Sequence, residues 1–127
     1  MALAQYIRKL GFRKWHERQL LIDHGWLMIT LFAAITAFAS LESLINASSL
    51  GHRLANLLAF AMLGGVTVIC LHRFLTRLIR AQRASQQARC THCDTWGRLD
   101  ALTEDPHGKW LRVRCRQCGH EWPMDEP

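Results

Sequence analysis

The chain has 127 residues, half of them hydrophobic, and a formal net charge of +6 at pH 7. Its charge is unevenly spread: residues 1–24 hold five basic residues against Glu17 and Asp23, residues 25–72 only Glu42 and Arg53, residues 73–89 five arginines and no acid, and residues 90–127 five basic and seven acidic groups. The excess positive charge therefore flanks an apolar middle, which excludes the net-acidic C-terminal part as a basic footprint for nucleic acid.

Residues 1–24 read as a basic amphipathic segment. Leu3, Tyr6, Ile7 and Leu10 recur at helical spacing beside Arg8, Lys9, Arg13 and Lys14, which predicts an interfacial helix lying at a membrane surface. Gly11 interrupts the pattern and predicts a break there. Trp15 and Trp26 suit the aromatic belt at headgroup level.

Residues 25–45 are apolar, with one charge, Glu42, near the end. About 20 such residues are long enough to cross a bilayer. Ala37-Phe38-Ala39 resembles a signal-peptide cleavage site, but the region before it is far longer than a usual n-region. A polar loop, 46–53, separates this run from a second apolar run, 54–72, and so short a loop predicts an antiparallel transmembrane hairpin. Ala33/Ala37, Ala55/Ala59 and Ala61/Gly65 are pairs four apart, a spacing that lets helix backbones approach closely in lipid. Ala61 and Gly65 are expected to meet a neighbouring helix. The basic residues on both outer flanks place both chain ends, and the C-terminal module, in the cytoplasm of a bacterial inner-membrane protein. Residues 73–89 hold no Pro or Gly and read as a basic helical stalk, its arginines suited to anionic lipid headgroups; from Arg80 onward it reads as polar all round.

The C-terminal segment carries the most specific pattern in the chain. Cys90-Thr91-His92-Cys93 and Cys115-Arg116-Gln117-Cys118-Gly119 are two Cys-x-x-Cys pairs, each offering two thiolates from a tight turn. Together they can close a tetrahedron around Zn²⁺. Gly119 follows the second pair, and Asp94 holds the matching place after the first. Both residue types tolerate positive φ. Fewer than about 40 residues close no core unaided, so a metal is physically required here. A reducing cytoplasm favours thiolate–metal bonds over two disulfides.

These cysteines, Gly119 and the stretch Lys109–Arg114 resemble a zinc ribbon, the rubredoxin-like family of small β modules. The resemblance covers residues 90–127 only. It implies that Cys90, Cys93, Cys115 and Cys118 bind a structural zinc, or iron as in the electron-carrying members. Trp96–Leu102 and Lys109–Arg114 are expected as paired strands joined by a turn at 104–108, with Leu111 and Val113 inward near Trp96 or Trp122. Trp110, Arg112 and Arg114 would face outward.

The expected fold class is thus α plus small β: an interfacial helix, a two-helix hairpin, a stalk and a zinc ribbon. His92 and His120 adjoin ligands but are displaced by four well-placed cysteines. Cys70 reads as a small buried hydrophobe. His16, His24, His52 and His72 read as interfacial histidines rather than haem ligands, and Glu42 as snorkelling or pairing with Arg53 or His52. No nucleophile–base pair, phosphate loop or carboxylate dyad is present, so a non-enzymatic role is expected. The leading expectation is an accessory or assembly subunit of a larger membrane complex, such as a respiratory or other energy-converting one. Other integral membrane subunits would be its partners, or a further copy of the chain. Trp110, Arg112 and Arg114 would meet an acidic surface. A membrane-tethered nucleic-acid-binding or regulatory protein and an iron electron carrier are the alternatives. Against the last, Asp94 stands where rubredoxins have glycine.

Overall fold

In a computed structural model that describes residues 3–125, the elements in chain order are α1 (Leu3–Leu10), α2 (Phe12–Asn46), α3 (Leu50–Gln87), β1 (Leu99–Glu104), β2 (Trp110–Cys115) and β3 (Glu121–Asp125). Gly11 breaks α1 from α2 as its position suggests, at a φ of 82° that a glycine adopts without strain. The expected boundaries of the spans and stalk dissolve into two long helices, because nothing between Phe12 and Asn46, or between Leu50 and Gln87, stops helical hydrogen bonding. The connecting loop shrinks to Ala47–Ser49. Both helices are long and apolar enough to cross a membrane.

The chain divides into two compact units. One is Ile22–Arg77, the hairpin parts of α2 and α3. The other combines the residues up to Leu21 with those from Leu78 onward.

In the hairpin unit the buried positions on α2 are Asp23, Thr30, Ala33 and Ala37, and on α3 Cys70. Spacings of seven, three and four place these α2 positions on one face of the helix, the seam of the hairpin. The inward residues are small or polar. The large ones point out, with Phe38 and Met62 each 72% exposed. Of the three small-residue pairs, Ala33/Ala37 lies in this seam. Ala55, Ala61 and Gly65 lie outside it, and Ala59 is half-buried. An apolar cleft of about 280 Å³ opens between the helices, floored by Ala34, Ala37 and Gly64 and walled by Phe38 and Phe60.

The other unit is larger than the ribbon expected from the sequence. Its sheet is antiparallel in the order β1-β2-β3, with Val113 opposite both Ala101 and Trp122, and a bulge between Ala101 and Thr103. Strand β1 starts three residues later than expected, since Trp96 makes only an isolated bridge to Arg89. Strand β3 was not expected at all: Pro123 and the charges in it obscure the alternation. Leu99, Leu111, Val113 and Met124 fill the inner face, and Leu3, Ile7, Phe12, Ala84 and Ala88 cover it from the helices.

Two expectations are corrected by this core. The apolar face of α1 does not lie open for headgroups; Leu3, Ala4 and Ile7 are buried, Arg8 donates to the Leu102 carbonyl at 3.0 Å, and Trp15 packs against the same cluster. The end of α3 is not polar all round either. Ala81, Ala84 and Ala88 are buried and form a stripe of small residues that the arginines and glutamines around it conceal. The physical reason is the same in both cases. A three-stranded sheet has an inner face to cover, and the neighbouring helices supply the apolar area that the ribbon lacks.

Candidate metal centre

The two cysteine pairs sit in turns of matching construction. The Asp94 amide donates to the Cys90 carbonyl at 3.0 Å, and the Gly119 amide to the Cys115 carbonyl at 3.1 Å. The Cys90 amide in turn donates to the Thr95 carbonyl, and the Cys115 amide to the His120 carbonyl. Each turn is completed by one residue in the left-handed region, Asp94 at φ 58° and Gly119 at φ 77°. Asp94 thus does the work of glycine in the first turn, and its carboxylate accepts from Arg89 at 3.2 Å. The turns are tied together by the Thr95 hydroxyl, which donates to Gln117 Oε1 at 3.1 Å, and by a 3.2 Å contact between Thr91 Oγ1 and His120 Nε2.

The four thiols converge. Cys90 Sγ lies 3.5 Å from Cys118 Sγ and Cys93 Sγ 3.5 Å from Cys115 Sγ, and all four sulfurs lie within 4.8 Å of one another. A tetrahedron with metal–sulfur bonds of about 2.3 Å has sulfur–sulfur edges of about 3.8 Å, so the tetrad fits a single ion. Cys90 and Cys115 are buried and Cys118 is exposed. The Gln117 amide points at Cys115 Sγ at 3.4 Å, a contact that supports charge on a thiolate. No two of these cysteines are joined as a disulfide.

The thiols differ in their hold on protons. Hydrogen bonding to Thr95, through its side chain and then its backbone, brings Cys93 down to about 6. At Cys118 the His120 backbone contact lowers the value, but local desolvation and hydrogen bonding with the thiols of Cys90, Cys93 and Cys115 outweigh it and push the group up to about 12. Four acidic groups crowded into one site give up protons unequally. A cation among them removes that conflict.

In comparisons with known proteins, no family model, no curated protein and no solved structure matches this chain.

The remaining candidate residues fall outside this centre. His92 and His120 stack at 6.1 Å between ring centroids, and His120 stacks on Trp122 at 6.0 Å; they form an aromatic row beside the knuckles. Cys70 is buried in the hairpin unit. His24 and His72 are both exposed. Arg53 donates to the Ala47 carbonyl and His52 contacts Ser49, so neither is directed at Glu42.

On the outer face of the sheet, Trp110, Arg112 and Arg114 are exposed as alternation along β2 predicts. They are not equivalent. Arg114 is bonded to Glu121, whereas Arg112 stands between Thr103 on β1 and Pro123 on β3, with no acid opposite it. This distinction is invisible in the sequence, because it depends on which residues the register sets across the strands.

Proposed function

We propose that this chain is a non-catalytic accessory subunit of a larger integral membrane assembly, with a zinc-stabilised ribbon bracing the assembly's cytoplasmic face. The observation that carries this reading is the construction of the metal unit. The tetra-Cys site shares one compact core with the first turns of α2 and the last turns of α3, so the module is built onto the helices rather than tethered by a linker. A four-thiolate site has no open coordination position and offers no water for activation, which suits a structural ion.

Zinc is the metal this reading assigns. Cys90, Cys93, Cys115 and Cys118 would hold it, and the ion would supply folding free energy, not reactivity. The basic flanks put both chain ends on the cytoplasmic side and meet anionic lipid headgroups there. The outward large side chains of the hairpin need lipid or further helices around them. Gly65 has open space where a Cβ would stand and suits a close-packed neighbour. On the ribbon, Arg112 and Trp110 are the contact residues for an acidic partner surface, and Arg114 acts mainly through its pair with Glu121.

Extraction in a mild detergent followed by identification of co-purifying proteins tests the reading. Recovery with a stable set of integral membrane proteins is expected, and Gly65→Leu and Arg112→Glu should each reduce it, by overpacking and by like-charge repulsion respectively. A chain that runs alone, with neither substitution changing what co-purifies, is not an accessory subunit. Elemental analysis should find one zinc per chain; iron would favour the electron-carrier alternative.

A further inference from the structure

The hairpin unit contains one acidic group that its seam does not explain. Asp23 is 1% exposed, and neither carboxylate oxygen has a hydrogen-bond partner among the described residues. Its neighbour in the seam, Thr30, is satisfied by donating to the Trp26 carbonyl at 2.8 Å. A buried bare carboxylate is costly, and the ordinary remedy is an opposite charge in hydrogen-bonding contact. That charge is at hand but placed elsewhere. Arg77 on α3 is the cation facing Asp23 electrostatically, with His24 the other one, on Asp23's own helix. No ion pair joins Arg77 to Asp23; its guanidinium instead lies over the Trp26 ring, 5.9 Å from the centroid.

Trp26 follows Asp23 by three residues on α2, on the same side of the helix, so the Arg77 guanidinium over its ring has Asp23 as a second station for one long side chain. Over Trp26 it interacts with an aromatic face. On Asp23 it would make a charge-assisted hydrogen bond, which is the stronger interaction when the carboxyl is ionised and has nothing to offer when it is neutral. Burial favours the neutral form and the nearby guanidinium the charged one, so the two influences oppose each other.

We propose that Asp23, Arg77 and Trp26 form a proton-sensitive latch in the hairpin: Arg77 rests on Trp26 while Asp23 is protonated, and moves onto the carboxylate when Asp23 releases its proton to solvent. The latch links α2 to α3 differently in its two states, through a ring contact in one and an ion pair in the other. It is independent of the accessory-subunit reading, because it needs only residues of this chain.

The test follows the Trp26 indole N–H by NMR in the full-length, zinc-loaded protein in detergent micelles, between pH 5.5 and pH 8.5 as a working window bracketing neutral pH. The indole signals are assigned by Trp26→Phe. A single-proton titration of the Trp26 signal is expected, larger than any change at Trp110, and absent in both Asp23→Asn and Arg77→Met. Asp23→Glu should keep a titration with a displaced midpoint. Unchanged Trp96 and Trp122 signals show that the variants keep the ribbon unit folded. A Trp26 signal that is flat in the native chain overturns the latch. So does a titration that persists in Asp23→Asn, or one that vanishes in His24→Gln, which would make His24 the titrating group.

Discussion

The two units of this chain solve the same packing problem in opposite ways. In the unit around the cysteine tetrad, large side chains turn inward: Ile7, Phe12, Leu99, Leu111, Val113 and Met124 are fully buried, and ion pairs such as Arg116–Asp100 lie on its surface. In the hairpin unit small side chains turn inward and large ones outward. The first arrangement excludes water by the hydrophobic effect. The second leaves its apolar area for something else to cover. Substitutions of similar chemistry should therefore have unequal effects in the two units.

The largest effect is expected from the metal. Cys115→Ser should abolish stoichiometric metal binding and unfold the sheet, since structural zinc in small modules contributes on the order of 10 kcal/mol. The hairpin helices should remain, because all four cysteines belong to the other unit. Metal analysis together with far-UV circular dichroism would check both halves. If helix content collapsed along with metal binding, the two units would not be separable in the way their packing suggests.

Acid should reproduce that loss reversibly. Metal binding must displace the proton of every thiol still protonated, so affinity falls as pH falls. Cys118, held up at about 12, contributes a proton to be displaced throughout the physiological range. Cys93, drawn down to about 6, adds another only below that pH. Zinc release monitored with a chromogenic chelator should therefore steepen below about pH 6. A release profile of constant slope from pH 8 to pH 5 would contradict the lowering of the Cys93 thiol by its hydrogen bonds to Thr95.

A matched pair of phenylalanines sharpens the contrast. Phe12 is 1% exposed and belongs to the core under the sheet, whereas Phe38 is 72% exposed. Phe12→Ala should destabilise the metal unit by about 3–5 kcal/mol, the usual result of emptying a buried aromatic site. Phe38→Ala should leave thermal unfolding of the isolated protein within about 0.5 kcal/mol of the native value. Equal effects would mean that the hairpin is packed more tightly than its exposed side chains indicate.

This contrast also explains what was legible in the sequence. The clustering of the four cysteines, the positive-φ residues after them, the inward Leu111 and Val113 and the break at Gly11 follow from local patterns, and each could be read residue by residue. The role of Leu3, Ile7 and Phe12 could not. Their spacing announces an amphipathic face, but the face says nothing about what it packs on, and a basic segment before an apolar run suits a membrane surface equally well. The stripe Ala81, Ala84 and Ala88 was hidden for a related reason: alanine is a good helix former anywhere, so its periodicity is weak. The pairing of Arg114 with Glu121, which leaves Arg112 free of an acid, needed the register of β3.

A smaller effect is expected where helix and knuckle meet. Gly97 has a φ of 72°, and a Cβ there would stand 2.9 Å from Arg13 Cγ and 3.7 Å from Phe12. Gly97→Ala combines backbone strain with a clash that the Arg13 side chain can relieve by moving. A loss of about 1–3 kcal/mol in the metal unit is expected, mostly from the left-handed backbone. Arg13→Ala should remove the clash but not the strain. A double variant as stable as the native chain would show that sterics, not φ, governs this position.

The smallest effect on the isolated protein is the one that bears most on function. Gly65 lies outside the hairpin seam, and a Cβ added there meets nothing within 4 Å. Leucine is also a far better helix former than glycine. Gly65→Leu should therefore leave the purified chain as stable as before, or slightly more so. A loss of co-purifying partners in the same variant would then come from a surface beyond the chain, since no internal contact is disturbed. Neighbouring Met62 and Ile69 are 72% and 61% exposed, so on the proposed reading a partner or lipid covers this side of α3. The distinction lies in shape: fluid acyl chains accommodate a leucine, whereas a helix seated against glycine cannot. A Gly65→Leu variant that is both stable and fully assembled would therefore assign this face to lipid.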